Sequence, residues 1–216
     1  MMNPEQLSQY QAQCNVLYHA IYFEPSDVMP DRLRAVNVVQ SWPQTGEAVA
    51  RAEGLALLAE ALAEENATLL PKLKRDFTEL FIGPVELKAI PWGSPYLHEK
   101  RLLCGPSTQA LVQFYQHYGI LVTTQLNEPV DHIGLMLSVV SSLLERAANE
   151  PDDTDLEVLR VLLAEHLLPW SNRFCEKLLA AAQTPYYRGM ALLIRSVLEG
   201  LQADLGVKPL SLQLFQ

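Results

Sequence analysis

Cysteine is scarce in this chain. Cys14, Cys104 and Cys175 are the only three, far apart and without a CxxC pair. That excludes a zinc ribbon and a thioredoxin-like redox pair, and an odd count without repeated spacing suits a reducing compartment. Basic residues are also in deficit: 16 Lys and Arg stand against 25 Asp and Glu, a formal net charge of −9. No cationic excess is available to displace phosphate counterions, so non-specific nucleic-acid binding is excluded and a cationic partner is favoured. Long apolar runs are absent as well; none approaches the ~20 residues that span a bilayer, so no membrane span is expected. The start, Met1-Met2-Asn3-Pro4-Glu5-Gln6-Leu7, lacks a basic n-region and an apolar h-region and does not read as a secretory signal. A cytoplasmic protein is the expectation.

Catalytic signatures are missing too. There is no GxSxG elbow, no HExxH, no Walker GxxxxGK[ST] and no GxGxxG. The histidines at 19, 98, 117, 132 and 166 show no pair at metal-ligand spacing on one helix. The expectation is a non-enzyme with no metal and no cofactor of its own.

Leu and Ala dominate what is present, and Val, Ile and Thr are comparatively sparse, a balance that favours helix over strand. Ile133, Met136, Leu137, Val140 and Leu144 recur at three and four residues, the spacing of one helix face. Met190, Ile194, Val197, Leu201 and Leu205 form a second stripe, and Leu156, Leu159, Leu163 and Leu167 a third. Gln6 to Phe23, Glu47 to Glu65 and Leu69 to Ile82 also read as helices. Gly83-Pro84 stops one of them. Pro106, Pro129, Pro169 and Pro185 sit where a first helical residue belongs, because there the missing N–H is no loss. Thr184 and Asn127 are the matching N-caps. Asp152-Asp153-Thr154-Asp155 opens another helix, and Gly119 ends the one begun at Pro106. The 216 residues therefore predict a single all-α domain, residues 1–216, of roughly nine to ten helices. One stretch resists helical reading: residues 83–105 hold three prolines and three glycines and predict a long structured loop.

Four segments carry candidate chemistry. In Glu128-Pro129-Val130-Asp131-His132, a cap at Asn127 or Glu128 places Asp131 in the first helical turn, where free N–H groups favour a carboxylate. The same field favours neutral His132. Two readings stand: an anionic anchor beside a hydrogen-bonding imidazole, able to grip a guanidinium, or a capping Asp beside a surface His. Adjacent residues on a helix point about 100° apart, so the pair is poorly suited to act as base and orienter in a hydrolytic triad. In Pro91-Trp92-Gly93-Ser94-Pro95-Tyr96, two prolines stiffen the backbone under two amphipathic aromatics. They form either a wall for an extended peptide or a plug in the core. Phe77, Leu80 and Phe81 share a helix face, a pattern more typical of core than of a ligand site. His166-Leu167-Leu168-Pro169-Trp170 reads as a helix–Pro–helix corner with Trp170 packed inside.

The order Leu80-Phe81-Ile82-Gly83-Pro84, Pro91 to Tyr96, Glu128 to Gly134, then His166 to Trp170 and Pro185-Tyr186-Tyr187-Arg188 resembles the TorD/DmsD family, with motifs nearest the DmsD-like members. The resemblance runs from about residue 70 to the final helix. The first 65 residues match only in helical character.

These are cytoplasmic maturation chaperones serving anaerobic respiration through exported molybdoenzymes. The resemblance implies an all-helical domain, either monomeric or a domain-swapped dimer. It implies binding of the twin-arginine leader of a molybdopterin-containing reductase catalytic subunit, of the dimethyl sulfoxide or trimethylamine N-oxide type. Tat export would be delayed until cofactor insertion, with contact to Tat translocase components as a further implied partnership. It implicates Phe77, Phe81, Trp92, Tyr96, Gly105, Asp131 and His132 in leader binding. Three departures stand out: Val130 replaces an acidic residue, Val85 a tryptophan after Gly-Pro, and Tyr96 stands where tryptophan occurs. The alternatives are a helical interaction scaffold without leader preference and a small hydrolase using His132.

Overall fold

The computed structural model describes residues 2–83, 87–124, 128–149 and 153–215. Eleven α-helical segments occur there: α1 Pro4–Tyr22, α2 Val28–Ala35, α3 Val38–Ser41, α4 Ala48–Leu62, α5 Asn66–Phe77, α6 Ser94–Leu97, α7 Pro106–His117, α8 Ile133–Asn149, α9 Asp153–Val161, α10 Leu168–Ala181 and α11 Pro185–Asp204. A π-turn at Thr78–Ile82 extends α5, and another at Leu162–Leu167 joins α9 to α10, giving ten continuous helices among the described residues. No strand occurs among those residues; one isolated antiparallel bridge pairs Trp92 with His132. The all-α expectation and its helix count hold.

The termini of the helices follow from local chemistry. Asn3 caps α1 by accepting the Gln6 N–H at 2.8 Å, and the Gln6 side chain accepts the Asn3 N–H at 3.0 Å. This reciprocal box, with Pro4 next to it, starts the helix two residues before the apolar pattern does. Glu47 caps α4 by accepting Val49 and Ala50 N–H groups. Thr184 caps α11 as expected. Gly83 closes the π-turn with φ +85°, and Gly119 ends α7 with φ +62°, conformations that suit glycine. Pro84, Asn127 and Asp152 lie outside the described residues, and with them two expected caps and part of one stop.

Two expectations are corrected. First, Pro129 does not begin a helix. The helix starts at Ile133, because His132 is bridged to Trp92 and the Ile133 N–H is taken by the Pro91 carbonyl at 2.8 Å. Asp131 therefore precedes the helix. Second, the junction at Pro169 carries no break: Pro169 stands in the first turn of α10 and Trp170 is buried, both as expected, but the chain before it stays helical. The chain passes from α9 through the π-turn into α10, and the wider turn accommodates the proline's missing donor. Two short helices, α2 and α3, lie where no periodicity announced them.

The core sits between the three stripes. Every residue of the Ile133, Met190 and Leu156 stripes is buried. The broadest helix contacts are α1 on α8 and α4 on α11, with α10 along α11. Helices α4 and α11 meet at glycines: a Cβ at Gly189 would stand 2.8 Å from the Gly54 carbonyl oxygen. The N-terminus of α11 is fixed from across the fold, since the buried Asp76 carboxylate accepts from Gln183 N–H, Thr184 N–H and the Thr184 hydroxyl. Among the described residues no helix is long and apolar enough to cross a membrane.

Candidate functional site

The segment 87–105 is an ordered loop folded around α6, and α8 supplies its anchor. Asp131 sits just before α8 and is 4% exposed. Its Oδ2 accepts the Ser94 N–H at 2.7 Å and the Thr108 hydroxyl at 3.1 Å, while its backbone carbonyl accepts the Gly93 N–H at 3.1 Å. One carboxylate oxygen thus ties the first turn of α6 to the first turn of α7. The other oxygen, Oδ1, is buried and has no partner among the described residues, and the same holds for Ser94 Oγ. Both residues line a cavity of about 20 Å³ that Glu165, His166 and Trp170 also border. That volume has room for about one water molecule.

His132 is buried beside Asp131. Its Nδ1 accepts the Gly134 N–H at 3.0 Å, which places the ring proton on Nε2. Burial pushes its pKa down to about 3, so the neutral ring is favoured as expected, through desolvation rather than through a helix dipole. Tyr22 and Trp92 meet the ring edge-to-face, at centroid distances of 5.3 and 5.4 Å. Gly93 must be glycine for packing reasons: a Cβ there would come within 2.7 Å of the Trp170 indole. Trp170 is buried, stacks on Tyr96 at 5.4 Å and donates Nε1–H to the His166 carbonyl. His166 also titrates low because of burial.

The seven residues singled out from sequence divide by depth. Tyr96 is fully buried, with its hydroxyl donating to the Ile90 carbonyl at 2.8 Å. Phe77 and Phe81 are each 5% exposed and pack against Tyr187. Trp92 is half-buried, with its indole nitrogen buried. Gly105 is half-buried at the start of α7, and a Cβ there would meet only ordinary contacts with Leu102, His98 and Ser94. Gly105, Asp131, His132, Trp92 and Tyr96 thus belong to one neighbourhood. Phe77 and Phe81 belong to a second, joined to it by the loop through the Ala89 N–H to Leu80 carbonyl bond.

Sequence reasoning missed the end of α1. Tyr18, Tyr22 and Phe23 form a half-buried aromatic cluster, with Tyr18 and Tyr22 stacked at 5.4 Å and Tyr18 and Phe23 edge-to-face at 5.3 Å. Tyr22 then meets His132, so the aromatic surface runs on from Trp92 through His132 to α1. Beyond Phe23 it borders a cleft of about 260 Å³ lined by Glu24, Met29, Arg32 and Tyr187 among others. The spacing of Tyr18 and Tyr22, four residues apart on a helix, was the available signal. A larger cleft of about 530 Å³ lies between Lys72, Arg75, Lys88 and Asp76. Its cations are paired: Lys72 with Glu64, and Arg75 and Lys88 with Glu79. Among the described residues no group of three or more His, Cys, Asp or Glu is placed to hold a metal ion.

Comparison with known proteins adds relatives to this geometry. Residues 45–176 match the family model described as nitrate reductase delta subunit. The chain is 35% identical over 190 residues to a probable Tat proofreading chaperone DmsD of Haemophilus influenzae, covering 86% of each chain. It is 36% identical over 173 residues to the Tat proofreading chaperone DmsD of Salmonella typhimurium, covering 78% of this chain and 77% of that one. A chaperone protein TorD of Vibrio vulnificus is 28% identical over 127 residues, covering 57% of this chain and 59% of its own.

Proposed function

The chain belongs to the TorD/DmsD family of redox-enzyme maturation chaperones, and from that premise we propose that it binds a twin-arginine leader. The leader is that of a molybdopterin-containing reductase catalytic subunit, held in the cytoplasm until its cofactor is in place and then released to the Tat translocase. The observation that carries the site assignment is the Asp131 carboxylate. It is buried and lines a small cavity, one oxygen is committed to the scaffold, and the other has no partner among the described residues. A buried carboxylate oxygen without a donor favours a cationic one, and a guanidinium is the donor that holds its charge at any pH. The cavity has room for about one water, so a guanidinium enters only if the lining, Leu97 and Ser107 among it, moves apart.

The remaining residues divide the work. Trp92, with Tyr22 and Phe23 beside it, offers the accessible aromatic surface for the leader's apolar segment. Tyr96, Phe77 and Phe81 are packed behind it and fix its shape. His132 keeps Trp92 and Tyr22 in register, and Gly105 leaves the rim low. We propose a single helical domain, monomeric or domain-swapped, and assign it no catalytic step. A neutral His132 whose Nδ1 already accepts Gly134 N–H is a poor general base near neutral pH, which disfavours the hydrolase reading.

Calorimetry with a twin-arginine leader peptide and its Lys-Lys counterpart tests this. The twin-arginine form should bind at least about tenfold more tightly, roughly 1.4 kcal/mol, and Asp131→Asn should abolish that preference. Equal affinities for the two peptides would leave a scaffold without leader preference.

A further inference from the structure

After α11 the chain turns at Gly206, φ +64°, and runs from Val207 to Phe215 as a tail without helix, turn or bend. Among the described residues, three hydrogen bonds seat its outer part. Leu210 donates its N–H to the Ala164 carbonyl at 2.9 Å, Phe215 donates its N–H to the Tyr96 carbonyl at 2.9 Å, and Arg101 Nε–H donates to the Phe215 carbonyl at 2.9 Å. On the tail's side every one of these bonds uses backbone, so the track they define accepts a peptide without regard to its side chains. The seat is light. Leu210 and Leu212 remain 49% and 45% exposed, and Leu214 alone of the three packs on the core. Apolar residues at 210, 212 and 214 alternate with polar ones, the pattern of an extended segment with one face on a surface.

The two anchor points flank the Asp131 cavity. Ala164 precedes Glu165 and His166, and Tyr96 lies between Ser94 and Leu97; all four neighbours line that cavity. The track therefore continues the proposed leader site along its rim. We propose that this track is a docking surface for an extended, alternately apolar peptide segment, occupied by the chain's own tail until the apolar part of a client leader displaces it. The proposal rests on the leader-binding reading and adds to it an internal competitor.

The consequence is a reduced apparent affinity. If the tail holds the track nine-tenths of the time, removing it strengthens leader binding about tenfold. The test uses a fluorescent twin-arginine leader peptide and three proteins: the full chain, a form shortened after Lys208, and the full-length Leu210→Pro variant. The last removes one anchoring N–H without shortening the chain, and serves if the shortened form fails to fold; circular dichroism and melting check each. A second titration offers the labelled peptide of residues 208–216 to the shortened form.

Leader binding tighter by about three- to tenfold in the altered proteins, with the tail peptide binding in trans and displaced by leader, is the expected result. Equal or weaker leader affinity in folded variants overturns the displacement and leaves the leader reading standing, as does a tail peptide that stays bound when leader binds. If no form binds leader while the tail peptide still binds in trans, the leader reading falls, and the client assigned to the track falls with it.

Discussion

Asp131 ties α6 to α7 through one oxygen, and nothing in its local sequence announces that task. A carboxylate just after Pro129 reads as a cap for its own helix, and the partners it takes instead, Ser94 and Thr108, lie 37 and 23 residues away. Residue type and rigidity were legible; the partner was not, because capping by a distant side chain depends on tertiary placement. His132 was legible in its neutral form, but the reason lies in burial between Tyr22 and Trp92. That burial has a pH consequence. The unfolded ring titrates near its ordinary value of about 6.5, and the folded one near 3. Between those values the unfolded chain binds a proton that the native one refuses. Its contribution is thus fully present above pH 6.5 and is lost progressively as pH falls toward 3, by at most about 1.4 kcal/mol per pH unit. His166, also shifted downward by burial, adds in the same direction. His132→Asn keeps an acceptor for the Gly134 N–H and does not titrate. Urea unfolding from pH 7 to 4 should therefore give a shallower pH slope for that variant than for the parent; parallel slopes would show that His132 is not the titrating group.

At the level of elements, the long helices were legible because each buries a stripe at three- and four-residue spacing, and Ile133 to Leu144 does so without exception. The short helices α2 and α3 were not, since eight and four residues carry too little period to register. The two π-turns escaped as well. An extra residue in a turn leaves composition unchanged and is imposed by what the turn must fit, at Leu162–Leu167 the proline at 169. The α4–α11 crossing shows how little of a packing interface composition reveals. Gly54 and Gly189 read as weak points in two helices, where alanine would raise intrinsic helix propensity by about 1 kcal/mol each. In the fold they let two backbones meet. A Cβ at Gly189 would press on the Gly54 carbonyl oxygen at 2.8 Å and the Leu58 nitrogen at 3.3 Å, both backbone atoms that cannot rotate away. Gly189→Ala should therefore lower stability by about 1–3 kcal/mol despite the better propensity, read as a fall in the urea midpoint at unchanged slope. A stabilised variant would mean that the two helices slide apart freely.

For the whole molecule, the deficit of basic residues leaves a net charge of −9, which disfavours non-specific nucleic-acid binding and favours a cationic partner. Class, helix number and the family's motifs were legible from the chain alone. The route by which α1 brings Tyr22, with Tyr18 and Phe23 packed on it, to His132 was not, because it depends on α1 lying along α8. The charge and the site act on different quantities. Long-range attraction between an acidic protein and a basic leader raises the encounter rate and is screened within about 10 Å at 0.1 M salt. In the proposed site, a guanidinium seated on the buried Asp131 oxygen would be shielded from salt and would set the dissociation rate. Stopped-flow binding of the leader peptide between 0.02 and 0.5 M salt, bounds set at roughly 20 and 4 Å of Debye length, should show association slowing several-fold while dissociation stays nearly constant. Asp131→Asn should leave the salt dependence of association in place and speed dissociation. If dissociation instead rises steeply with salt in the parent protein, the leader's arginines are held on the exposed acidic surface, and Asp131 serves only to lock α6 against α7.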